Sequence, residues 1–343
     1  MDLRAIEMFK NARKPIVPNV KAGDDVLILT DTDHDPTVWQ VVSAIVSEVG
    51  ATPTITIFPP RPADYYDPPD LVCEAMKRAD VNIFLTTPSL FHSPASHECM
   101  QSDIPIICMD GGMTPDMLTK GAVTADYAEV TRLKYKIGKL VFGTGKNVRL
   151  TSEQGTDLKC SVEGRVFVPE KIPDALIENP LKAYKRTGEG RPFPLYGSLF
   201  PGGEFNTPPV EGTGEGTIVI DTSMQTLGLL KDPIRLTIGG GRIVDIEGGY
   251  QADILRKHLE TYGDEYSWYM PSELSVGCNP KARVTGVMSE DRTILGAIHV
   301  ALGLNYDVGG KIKSKLHMDG VILRPTLSVD GEIKIDKGKI LGL

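Results

Sequence analysis

The stretch Val26-Leu27-Ile28-Leu29-Thr30, running into Asp31-Thr32-Asp33-His34-Asp35-Pro36, decides how the first part of this chain folds. A short, nearly unbroken apolar run offers no polar face to water, so it reads as a strand covered on both sides, the condition of a parallel sheet. Asp35-Pro36 reads as a helix start, with Pro where the missing N–H has no partner to lose, and an amphipathic stretch follows to Val49-Gly50. Working outward, residues 54–58, 81–85 and 104–108 are further strands, the last two each preceded by a candidate helix. Strands and helices in that alternation predict a Rossmann-like parallel sheet with helices on both faces. Leu29 leads into Thr-Asp-Thr-Asp-His-Asp-Pro with no Gly-x-Gly-x-x-Gly, so a bound dinucleotide is not expected. Asp31 to Asp35 lacks the Gly and closing Glu of a calcium loop and reads as a helix cap. His92 and His97, at the end of a strand, are expected to be structural.

The pattern changes after Gly143-Thr144-Gly145. From Asn147 onward, polar–apolar alternation and Gly-rich turns replace the helix signal. Residues 148–151, 164–168, 217–221, 234–238 and 242–246 read as strands, the last two joined by Gly239-Gly240-Gly241 as a hairpin. Residues 251–262 read as a helix, and Asp330-Gly331 sits between two alternating runs as a second hairpin turn. The expected fold class is therefore α/β plus α+β. A Rossmann-like domain over residues 1–146 precedes an antiparallel-sheet-rich, metal-binding domain over residues 147–343.

Composition narrows the function. The chain has 343 residues, 41% hydrophobic and 24% charged, which is ordinary for globular domains. A net charge of −8 argues against nucleic acid or an anionic membrane as partner and favours a small-molecule or short-peptide substrate. No apolar run approaches the roughly 20 residues that span a bilayer. Met1 to Glu7 carries acids where a signal peptide is basic and then apolar. Five cysteines lie scattered without Cys-x-x-Cys spacing, a pattern of reduced thiols. A cytoplasmic enzyme is expected.

Candidate chemistry concentrates in the second half. In Lys315-Leu316-His317-Met318-Asp319-Gly320, His and Asp stand two apart in an extended run, so both side chains leave one face of a strand and can converge on a cation. A surface hydrogen-bonded pair is the other reading. His299 lies in an apolar segment, residues 295–303, as a buried imidazole or as a ligand on a helix or tight turn. Tyr306 follows seven residues later. Glu204 stands in a Gly/Pro-rich loop, Gly202-Gly203-Glu204-Phe205-Asn206-Thr207-Pro208-Pro209. Glu273 stands in the weakly charged Pro271-Ser272-Glu273-Leu274-Ser275-Val276-Gly277, where burial without a partner would be costly.

Together these motifs resemble the leucyl aminopeptidases first described from thermophiles, a two-metal peptidase family. The likeness is carried by residues 200–212 with 216–221, by Glu273 with Gly277 and Asn279-Pro280, and by residues 296–303 with Tyr306, Gly309-Gly310 and His317-Met318-Asp319. The resemblance implies that Glu204, Glu273, His299, His317 and Asp319 hold two divalent ions (zinc, cobalt or manganese). It implies a catalytic Tyr306, metal-activated water attacking an amide or peptide bond, and a homodimer. The family's general base precedes His299 by a few residues. Here those positions read Arg292-Thr293-Ile294-Leu295, with acids only at Glu290 and Asp291, so Glu290 is the candidate base. The chain also resembles the related iron-dependent 2,5-dihydroxypyridine dioxygenases, in Asp35-Pro36-Thr37-Val38, Leu90-Phe91-His92-Ser93-Pro94, Pro280-Lys281-Ala282-Arg283 and Val308-Gly309-Gly310-Lys311. That resemblance implies one Fe(II) held by two His and one Asp. The first of those His falls where this chain has Glu273, and those enzymes lack counterparts of Glu204 and His299. His299, His317 and Asp319 would then form the triad of a ring-cleaving dioxygenase. The expectation taken forward is a metallohydrolase, with the dioxygenase as its alternative.

Overall fold

A computed structural model describes residues 3–185 and 196–343, which fall into two compact units that interleave along the chain. The first takes residues 3–128, 173–185 and 196–202; the second takes 129–172 and 203–343. Among the described residues, no helix is long and apolar enough to cross a membrane.

The first unit is built on the opening strand. Asp25–Asp31 is buried at every residue but its first, as expected of a strand with helices over both faces. The sheet runs in the order Thr52–Phe58, Asp25–Asp31, Val81–Leu85, Ile106–Cys108, Tyr196–Leu199, Tyr184–Lys185. The first five strands are parallel and the last is an antiparallel edge. Helix Pro36–Val49 starts where the sequence places it: Asp35 caps it by accepting from the Thr37 N–H at 2.9 Å, and Gly50 closes it at φ +90°. Asp31 ties the ends of two neighbouring strands together, accepting from the backbone N–H groups of Asp33, His34 and Thr87.

The second unit holds two antiparallel sheets. The eight-stranded one runs Arg242–Glu247, Ile234–Gly239, Glu215–Ile220, Asp157–Ser161, Asn147–Thr151, Thr326–Val329, Glu332–Asp336, Lys339–Ile340. The six-stranded one runs Gly228–Leu229, Ser223–Met224, His317–Ile322, Ile298–Gly303, Glu273–Gly277, Glu204–Thr207. One face of the six-stranded sheet is apolar apart from Thr207, which opposes Leu274: Leu274, Val276, Ile298, Val300, Leu302, Met318 and Ile322 are all fully buried. Gly320 belongs to that face, and a Cβ there would lie 2.6 Å from Ile220 of the eight-stranded sheet, so the two sheets approach closely at this point.

The hairpin at Asp330-Gly331 forms, with both residues at positive φ as its tight turn requires. Other expectations are corrected. Residues 164–168 form no strand: 164 and 165 lie in a turn, where Arg165 is drawn into an ion pair with Glu211 and donates to the Gly309 carbonyl. His299 lies on a central strand, not a helix or tight turn, and Glu204 opens a strand instead of standing in a loop. In both segments, pairing to Glu273–Gly277 overrides a local sequence rich in Gly and Pro or in small residues.

Candidate metal centre

Strand register alone brings the predicted residues to one face. Directly opposed residues of an antiparallel pair share a face, as do residues two apart on one strand. Glu273 opposes Ala301, and Ala301 opposes Asp319. His299 opposes Ser275, His317 opposes Gly303, and Glu204 opposes Gly277. Glu204, Glu273, His299, His317 and Asp319 therefore all leave the face opposite the apolar one, and every one is buried. The positions between them are Ala301, Gly303, Ser275 and Gly277, too small to fill the space.

The side chains converge accordingly. His317 Nε2 lies 3.2 Å from Asp319 Oδ1 and 3.7 Å from Glu273 Oε2. His299 Nε2 lies 3.4 Å from Glu273 Oε1 and 4.0 Å from Asp319 Oδ1. Supporting contacts aim these groups. His317 Nδ1 sits 2.7 Å from the Leu304 carbonyl, to which it donates, leaving Nε2 as the nitrogen that faces the carboxylates. Ser275 Oγ donates to Glu273 Oε1 at 2.6 Å, and the Asp319 backbone N–H donates to Gln225.

Two charges sit where water cannot relieve them. Burial works against ionisation of every member, yet their mutual field wins. Against burial, the carboxylates of Asp319 and Glu273 raise His299, and those of Asp319 and Glu273 push His317 up to about 10. Glu273 and Asp319, despite burial, are held below the ordinary carboxylate range by the two imidazoles, with Arg292 adding to the effect on Asp319. A cradle that draws protons onto two buried imidazoles draws a divalent cation by the same field.

Whether the donor set suits a cation can be asked of the orphaned atoms. Asp319 Oδ1, fully buried, has only the imidazole Nε2 atoms of His317 and His299 before it, and His299 Nδ1 is buried without a hydrogen-bond partner, whereas Asp319 Oδ2 and Glu204 Oε2 face the Arg292 guanidinium. A buried carboxylate oxygen such as Oδ1 is costly unless an ion answers it. Two imidazoles and carboxylate oxygens on one rigid sheet face are the donor types that suit a divalent transition metal.

Two expected site residues have partners of their own. Glu290, almost fully buried, accepts from the backbone and guanidinium of Arg283. Tyr306 lies in a short turn, Tyr306–Val308, with the Lys313 ammonium 4.4 Å from its ring centre. The sequence reading gave Arg292 no place in the site. Its Nε lies 3.3 Å from Glu204 Oε2 and its Nη1 3.7 Å from Asp319 Oδ2. The pointer to it was in the motif itself, where a cation stands among positions expected to hold a carboxylate.

With this geometry in hand, the chain can be placed among known proteins. The family model for NicX, 2,5-dihydroxypyridine 5,6-dioxygenase, matches residues 6–171 and 196–342. The chain belongs to this family. A 2,5-dihydroxypyridine 5,6-dioxygenase from Pseudomonas putida is 28% identical to it over 154 residues, 41% of this chain and 44% of that protein. That alignment thus spans less than half the length of the relative. The solved structure of 2,5-dihydroxypyridine dioxygenase from Pseudomonas putida KT2440 has a TM-score of 0.70 at 20% identity, covering 99% of this chain and 97% of that one. Wild-type AmpT from Thermus thermophilus gives 0.66 at 15% identity, covering 98% and 99%. These two likenesses show a shared fold.

Membership in the NicX family overturns the expectation of an amide hydrolase, since the family matched over most of the chain is one of dioxygenases. The catalytic roles expected of Glu290 and Tyr306 were implied by that peptidase resemblance. The physical arrangement agrees: Arg283 takes up the Glu290 carboxylate, and Arg292 stands between Glu204 and Asp319.

Proposed function

We propose that this member of the NicX family is a non-haem Fe(II) dioxygenase that opens the ring of a hydroxylated pyridine such as 2,5-dihydroxypyridine, using a centre built wholly within residues 147–343. One observation carries the reading: two buried imidazole Nε2 atoms face a single carboxylate oxygen, Asp319 Oδ1, from one face of one sheet. His299, His317 and Asp319 would hold the iron as a two-His-one-carboxylate set, with Glu273 beside them. Bound ferrous iron supplies the activation of dioxygen toward the ring.

The rest of the work falls to the chain. The Leu304 carbonyl keeps His317 turned, and Ser275 keeps Glu273 turned, so the metal-facing atoms need no reorganisation. Burial of every ligand keeps competing water out and strengthens each electrostatic contact. His299 supplies, from the strand next to Glu273, an imidazole where relatives of this kind place one at the position of Glu273 itself.

The test is oxygen uptake by protein purified without oxygen and reconstituted with ferrous iron. Supplied with 2,5-dihydroxypyridine, it should consume dioxygen in step with loss of the aromatic absorbance, and His317→Ala should do neither. Iron-loaded protein that binds the metal stoichiometrically yet leaves a panel of dihydroxypyridines untouched would sink the substrate assignment.

A further inference from the structure

Arg292 is held over the site with unusual thoroughness for a residue outside the expected ligand set. It follows the four-residue helix Met288–Asp291, whose Met288 packs with Ala297, Val321, Ile294 and Leu323. Asp291 locks the approach to that helix by accepting from the Thr285 and Gly286 backbone N–H groups at 2.6 and 2.9 Å, and from the Thr285 hydroxyl. Glu290 locks it a second time through Arg283. Beyond Arg292, the chain is pinned to the end of the Glu273 strand by Asn279 N–H to the Thr293 carbonyl and Gly277 N–H to the Ala297 carbonyl. The side chain so delivered is 17% exposed, against partner side chains that are 8% (Glu204) and 1% (Asp319) exposed.

Asp319 is thereby divided between two kinds of neighbour. Its Oδ1 faces the imidazoles of His299 and His317, while its Oδ2 faces Arg292. A carboxylate that bridges two metal ions through both oxygens turns one to each, and such ions sit about 3.5–4 Å apart. Here a fixed monovalent cation already answers the second oxygen, and the same cation answers Glu204. Charge points the same way: with both imidazoles neutral, as metal ligands are, three carboxylates and one guanidinium leave a net of two negative charges, the complement of one divalent ion.

We propose that Arg292 is a built-in substitute for a second metal ion. Its guanidinium takes the place between Glu204 and Asp319 Oδ2, and it limits this centre to one divalent ion although five carboxylate and imidazole ligands are present. This rests on the reading that His299, His317 and Asp319 hold the first ion.

The experiment counts metal. Full-length protein is dialysed to equilibrium against excess Mn(II), and bound metal per chain is measured by plasma mass spectrometry with the EPR spectrum recorded alongside. Wild type should hold one ion with the spectrum of an isolated Mn(II). Arg292→Gln, which keeps much of the length and no charge, should hold two with an exchange-coupled spectrum, and R292K should return to one. Adding Glu204→Gln to R292Q should remove the second ion. Thermal melting of each variant checks its fold, and Arg292→Met serves in place of R292Q if the latter does not fold. Two ions on wild type, or one on a folded R292Q or R292M, would overturn the proposal. No ion on wild type would instead overturn the metal-centre reading beneath it.

Discussion

His258 shows what burial does to a single titratable residue of this chain. It lies on the inner side of helix Tyr250–Tyr262, 8% exposed, its ring 4.9 Å from that of Tyr262, with no hydrogen-bond partner at Nε2. Burial holds its pKa below the ordinary 6.5. The unfolded chain therefore binds the proton more tightly than the folded one. Stability is complete above about 6.5 and is lost as pH falls from there toward the folded value. Replacing His258 by Gln removes this titration, so the fall in melting temperature between about pH 7.5 and pH 5.5 should be smaller than in wild type. Equal falls in the two proteins would show that His258 is protonated as easily folded as unfolded. The site residues obey the opposite balance: partners outweigh burial, so His299 and His317 are raised where His258 is lowered.

At the scale of elements, the centre depends on how close residues 293–296 lie to the end of the Glu273–Gly277 strand. Gly277 makes that approach possible, for a Cβ there would stand 1.9 Å from the Ile294 carbonyl oxygen, a backbone atom that cannot swing aside. Gly277→Ala should therefore push this segment off the strand and cost about 1–3 kcal/mol by overpacking. Because Arg292 directly precedes the segment, the same variant should also loosen its hold on Glu204 and Asp319. Chemical denaturation measures the first effect. A variant as stable as wild type would mean that the segment is freer to shift than its paired hydrogen bonds to Gly277 and Asn279 imply. The loop ahead of His317 is held differently, by Glu211, which accepts from the Lys311 N–H at 2.7 Å and the Asn305 amide at 3.2 Å and pairs with Arg165.

For the whole molecule, the proposed ligands and the adjacent Glu273 come from three neighbouring strands of one sheet, so metal binding and the folding of that sheet are coupled. An ion present at about 100 times its dissociation constant should stabilise the metal-binding fold by about 2.7 kcal/mol. Hydrogen exchange should register this as added protection in strands Glu273–Gly277, Ile298–Gly303 and His317–Ile322, with none gained in His317→Ala. Unchanged protection in wild type on adding ferrous or manganous ion would place the metal elsewhere.

The sequence by itself determined those features that short-range pattern encodes. The run from Val26 to Pro36 specifies a buried strand and a capped helix, because apolar continuity and Asp-Pro chemistry act within a few residues. The pair His317 and Asp319 specifies two side chains on one face, because strand geometry has a period of two. Tertiary structure decided the rest. Tyr196–Leu199, with no strand pattern of its own, completes the parallel sheet by pairing with Ile106–Cys108. His299 joins the site only through its pairing with Ser275, and Glu204 only through its pairing with Gly277. Arg292 is the clearest case. As a letter in the sequence it marks a missing carboxylate, and only the fold puts its charge between Glu204 and Asp319, because charges separated by tens of residues meet through register and packing, which no local pattern encodes.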